Sequence, residues 1–163
     1  MNTADFTSII TKTVDELSKS ESYQNLFHQH KDGEPLPSSK ILYKVIELLR
    51  SILFPGYYGN STVNSRTLKY HIGTNVEHLF DLLSDQILAG ICFGKGKDCF
   101  ETIETKRKTA STLAAKFIAT LPSMRQILST DVKAAYDGDP AAKSIGEVIF
   151  CYPAIRAITN YRI

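Results

Sequence analysis

Asp139 and Pro140 form the pair in this chain whose types and spacing best suit chemistry. Proline disfavours helical backbone in the residue before it. It also fits the first position of a helix, where its missing N–H would be unpaired anyway. The pair predicts a helix starting at Pro140 with Asp139 as its N-cap, the carboxylate accepting backbone N–H bonds at the positive helix end. From spacing alone this capping role is the favoured one. Asp131 is expected in the N-terminal turn of the short helix before it.

Other combinations fail on spacing. His28 and His30 fall on opposite sides of a helix, and His71 and His78 share a face but lack a third ligand at suitable spacing. Cys92, Cys99 and Cys151 are odd in number and show no metal knuckle, so they are expected to be reduced, small, buried hydrophobes. From Gly90 to Lys97 the chain imitates a phosphate loop. The gap from Gly90 to Gly96 is one residue too long, Asp98 stands where Ser or Thr would ligate magnesium, and no strand precedes it. Ser111, His78 and Asp81 lack any nucleophile elbow. Lys106, Arg107 and Lys108 follow Glu101 and Glu104, which predicts a solvated helix face with a Glu104–Lys108 pair.

The elements that must position these residues are helical almost throughout. Apolar residues recur at helical spacing from Phe6 to Leu17, again at Tyr23, Leu26 and Phe27, and from Ile41 to Leu53 behind a Ser38 or Ser39 cap. Pro55, Gly56 and Gly59 force a turn that Phe54, Tyr57 and Tyr58 can pack. Further helices are expected over about 64–93, 98–120 and 123–136, with Pro122 ending or kinking one of them. The last helix is expected after Asp139-Pro140, and Pro153 divides or kinks it. No period-2 run predicts a strand, and no six-residue repeat marks a β-helix. The prediction is one all-α domain over residues 1–163, a bundle of about six helices with an extended C-terminal helix.

Bulk properties narrow the function classes. With 163 residues the chain can build one core. A net charge of +2 supplies no basic field and argues against nucleic acid as a partner. No apolar run reaches the ~20 residues a membrane span needs. The N-terminus has no basic region followed by an apolar block, so no signal peptide and a cytoplasmic location are expected.

One stretch is far more specific. Asp131 is followed by Asp139-Pro140-Ala141-Ala142, Glu147-Val148-Ile149, Tyr152-Pro153, Ala157-Ile158 and Tyr161-Arg162-Ile163. This resembles the segment of serine O-acetyltransferases that leads from their N-terminal helical domain into a left-handed β-helix. The matching stretch covers about 121–163; the Phe54–Gly59 turn resembles the longer-N-terminus members more weakly. The resemblance implies a parent enzyme that moves an acetyl group from acetyl-CoA to L-serine, the first step of cysteine biosynthesis. A histidine on the β-helix would be its general base, so no catalytic residue is expected in this chain, and the chain alone is expected to be inactive. Asp139 corresponds to the aspartate that binds the substrate ammonium, and L-cysteine would compete there as inhibitor. Tyr152-Pro153 is expected to be a hinge and Arg162 a domain-interface cation. The family's helical domains join trimers into hexamers, so a homo-oligomer is expected, with O-acetylserine sulfhydrylase as a further partner. Ile163 does not correspond to the family's terminal isoleucine that enters the sulfhydrylase. The alternative expectation is a free-standing, non-catalytic helical oligomerisation or interaction module.

Overall fold

In a computed structural model, residues 3–28, 33–59, 62–94 and 101–163 are described. They hold seven helices and no strand: α1 (Thr3–Leu17), α2 (Ser39–Leu53), α3 (Leu68–Gly94), α4 (Ile103–Ala119), α5 (Leu121–Gly138), α6 (Ile145–Cys151) and α7 (Pro153–Arg162). The all-α prediction holds, and the division at Pro153 supplies the seventh helix. Two compact units result, Met1–Glu34 and Pro35–Ile163.

In the first unit α1 stops at Leu17, and the helical spacing of Tyr23, Leu26 and Phe27 does not become a helix. Turns replace it, closed by Ser22 N–H to the Lys19 carbonyl and Leu26 N–H to the Tyr23 carbonyl, both at 2.9 Å. Asn25 sits between them at φ 66°, a left-handed conformation that asparagine tolerates better than most residues and a helix does not admit.

The second unit is built on α2, with α3 against it, α4 against α3, and α5 against α6 and α7. Ser38 caps α2 by accepting from the Ile41 N–H, and Gln86 Oε1 of α3 takes the Ser38 N–H at 2.8 Å. The core joins Leu49, Ile52 and Leu53 of α2 to Leu79, Leu128, Val132, Val148 and Ile155 of the surrounding helices. Each such side chain, fully buried, contributes about 1.5–3 kcal/mol. A smaller cluster of Leu88, Cys92 and Ala110 joins α3 to α4.

The turn after α2 forms where its glycines allow it. Gly56 and Gly59 have φ of +86° and +98°, and a Cβ on Gly59 would stand 3.0 Å from Ser51 Oγ. Tyr58 uses the turn to cross to α6, donating to the Ile149 carbonyl at 2.9 Å. The starts of α3 and α4 fall later than the spacing predicts. Asn64 Oδ1 holds the Arg66 and Thr67 N–H groups in a turn before α3, and Thr102 caps α4. Residues 98–100 of the helix expected over about 98–120 lie outside the described residues.

Candidate functional site

Asp139 stands where α5 ends, and its predicted role as N-cap is corrected. It is the C-cap of α5 (φ −119°, ψ 102°), and no helix begins at Pro140. A turn follows instead. Asp139 Oδ1 accepts the Ala141 N–H at 2.9 Å, and the Asp139 carbonyl accepts the Ala142 N–H at 3.0 Å. The next helix begins only at Ile145, behind Ser144, whose Oγ accepts the Glu147 N–H at 3.1 Å. Glu147 reaches back to the Lys143 N–H at 2.8 Å. This is a capping box shifted by one residue on the return bond, and Ser144-x-x-Glu147 is its visible sequence signal.

The second oxygen of Asp139 accepts from the Tyr152 hydroxyl at 2.5 Å. Tyr152 ends α6 and caps α7 with Pro153 in the first turn of α7, so the expected hinge is a real break between two short helices, not a kink in one extended helix. The Tyr152 hydrogen bond, followed by that of Ala141, holds the Asp139 carboxyl below its ordinary value. The same bond pushes the Tyr152 phenol up to about 12. Asp139 is half-buried and has no cation against it among the described residues. It is therefore an oriented, ionised acceptor without a counter-charge. Nothing in the local sequence pairs Tyr152 with Asp139; only the α6–α7 break brings them together.

Asp131 is also corrected. It lies in the body of α5, not in an N-terminal turn, and takes a two-point bond from Arg162, Nε to Oδ2 at 2.5 Å and Nη2 to Oδ1 at 2.7 Å. Arg162 is thus engaged within the bundle, tying α7 to α5.

Beside this corner lies a cleft lined by Glu47, Arg50, Tyr58, Phe150, Tyr152 and Arg156, among others. Burial raises the Tyr58 phenol above its ordinary value, with the Arg50 and Arg156 charges pulling the other way. Sequence spacing had no means of finding Arg50, which is buried and bonded to Asn160 Oδ1 at 2.7 Å, far along the chain.

The remaining candidates scatter. His71 Nε2 lies 3.2 Å from Ser51 Oγ and 3.1 Å from Asn75 Nδ2, a polar tie between α2 and α3. His78 is half-buried and His28 exposed, while His30 lies outside the described residues. Cys92 is buried as expected, but Cys151 is exposed; Cys99 lies outside the described residues. Gly90 and Gly94 belong to α3, and Lys95 to Asp98 lie outside the described residues. Lys106 corrects the solvated-face prediction, being buried at 4% exposure, whereas Arg107 is exposed and 3.7 Å from Asp85. No helix among the described residues is long and apolar enough to cross a membrane.

No family model matches the sequence. A protein named serine acetyltransferase, plasmid, from Synechococcus elongatus is 39% identical over an alignment of 134 residues that covers 79% of this chain. The chain spans 41% of that relative's length. Over most of its length the chain is thus similar to part of a serine acetyltransferase, and the described residues, helices without a strand, are consistent with the N-terminal helical domain that the sequence resembles.

Proposed function

We propose that this chain is the helical part of a serine O-acetyltransferase, which transfers acetyl from acetyl-CoA to the L-serine hydroxyl to give O-acetylserine, and that Asp139 receives the serine ammonium. The observation that carries this is the Asp139 carboxylate. It is held by Ala141 and Tyr152, kept ionised, and left without a cation among the described residues. A substrate ammonium supplies the missing charge through a charge-assisted hydrogen bond. L-cysteine carries the same ammonium and would compete as inhibitor.

The general base and the acetyl-CoA site then belong to the β-helix domain, so residues 1–163 alone are expected to acetylate nothing. The relative's name supports the parent activity. A cytoplasmic location, a trimer or hexamer and a sulfhydrylase partner belong to the same proposal. A second reading, a non-catalytic association module, is favoured by one feature: α1 exposes Ile9, Ile10, Val14 and Leu17 to solvent. Such a row suits a partner helix.

The decisive variant is Asp139→Asn in the enzyme that carries both this domain and the catalytic domain. Asparagine keeps an oxygen for the Ala141 N–H and can donate to the Tyr152 oxygen, so the fold should survive. The kcat/KM for serine should fall roughly 30- to 1,000-fold, because the ammonium loses its charged partner. Near-normal turnover and serine affinity in that variant would reduce Asp139 to a turn-forming residue.

A further inference from the structure

Arg50 is 5% exposed. Its Nη1 donates to Glu47 Oε1 and its Nη2 to Asn160 Oδ1. Its Nε is buried and has no hydrogen-bond partner. A buried donor left bare on a charged group is costly, and native proteins rarely leave one without a reason.

Arg50 lines the cleft described above, whose volume is about 300 Å³. That is the low end for small-molecule sites, with room for a ligand of a few carbons. Arg156, on the cleft wall, is exposed and paired with no carboxylate among the described residues. The two tyrosine hydroxyls are committed elsewhere, Tyr58 to the Ile149 carbonyl and Tyr152 to Asp139. The donors left for a ligand are therefore guanidinium N–H groups. Tyr58 and Phe150 stack with planes 3° apart and centroids at 6.0 Å, giving the cleft an apolar surface.

Charge selects among anions. Arg50 and Arg156 against Glu47 leave one net positive charge, which suits a monoanion; a phosphate dianion would also face the Glu47 carboxylate. Planar guanidinium forks match a carboxylate in shape as well as charge. The Glu47 side chain is 63% exposed and free to turn aside.

We propose that this cleft, between α2 and the α6–α7 break, binds a small monocarboxylate. Its oxygens take the Arg156 guanidinium, with the Arg50 charge in the cleft wall, and its short carbon body lies on Tyr58 and Phe150. Asp139 does not line the cleft, so the proposal stands apart from the serine reading. It is tested on this chain without any acetylation assay.

The probe is propionate, titrated into the nitrogen-15-labelled chain at constant ionic strength against sodium chloride. The arginine Nε–Hε resonances report binding. Those of Arg50 and Arg156 should shift saturably, while those of Arg66 and Arg125 stay fixed. Arg156→Gln, an exposed change whose fold is checked by circular dichroism, should weaken binding by about tenfold or more. Linear shifts of all arginines alike, or unchanged affinity in Arg156→Gln, would overturn the site and leave Arg50 Nε to water. Tighter binding of inorganic phosphate than of propionate would overturn the monocarboxylate class.

Discussion

Helices α1 and α2 are each 15 residues long and amphipathic, yet their apolar faces end differently. Ile9, Ile10, Val14 and Leu17 of α1 are more than half exposed, whereas Val45, Leu49, Ile52 and Leu53 of α2 are at most 4% exposed. Helical periodicity is the same signal in both. What differs is the set of neighbours. Around α2, Leu79, Leu128 and Val148 close the core, Gln86 takes the Ser38 N–H, and Arg125 donates to the Ile52 carbonyl at the helix C-terminus. Amphipathic spacing thus builds a helix with a face to bury, and packing partners decide whether the face is buried. A helix of this length gains little from its own hydrogen bonds in water, so tertiary contacts carry most of its stability.

That contrast breaks if the two faces prove equivalent. Leu49→Ala should destabilise the protein by about 2–5 kcal/mol, through lost transfer energy and the cavity left in a closed core. Ile10→Ala should change stability by no more than about 0.5 kcal/mol, since its site is open. Urea denaturation of both variants measures the difference, and equal midpoint shifts would mean that the α1 face is buried in solution against something. Ser38→Ala tests a smaller part of the α2 advantage. It removes the cap on the Ile41 N–H and should cost about 1 kcal/mol, read as a lower melting temperature with unchanged helix content.

The smallest effect separates the units by pH. The Asp139–Tyr152 bond raises the Tyr152 phenol from 10.0 to about 12, so the folded state holds that proton more tightly than the unfolded chain does. The resulting stability is complete below pH 10 and fades as pH rises through about 12. Asp139 has the opposite sign, its lowered value giving stability that is present above 3.8 and lost as pH falls through the folded value. Tyr152→Phe should remove the larger part of the acid-side contribution, leaving that of the Ala141 N–H, and flatten part of the alkaline slope. Tyr58, which burial also raises, keeps its own share of that slope. Thermal melts from pH 8 to 12 provide the measurement, and an unchanged alkaline slope in Tyr152→Phe would show the pair absent in solution.

The places where sequence and structure part have physical causes, local for two and tertiary for two. Asp139-Pro140 is a sound N-cap signal, but Ser144-x-x-Glu147 a few residues on is a stronger one, and it takes the helix start. Tyr23, Leu26 and Phe27 have helical spacing, yet the left-handed Asn25 closes turns there. Lys106 looks solvated within its charged triplet, but α4 turns it inward against α3. Asp131 reads as a first-turn carboxylate until the α7 fold-back brings Arg162 to it.

By itself the sequence determined the helical class, a serine cap at Ser38 or Ser39, the Pro-Gly turn after α2 and an interruption at Pro153. All of these rest on contacts within a few residues, where backbone sterics and period act directly. Only the tertiary structure decided that Tyr152 grips Asp139, that Arg162 grips Asp131, and that Arg50 and Arg156 line one cleft. Those juxtapositions depend on how α2, α5, α6 and α7 pack. A local pattern carries no record of which distant side chain will arrive within hydrogen-bond reach.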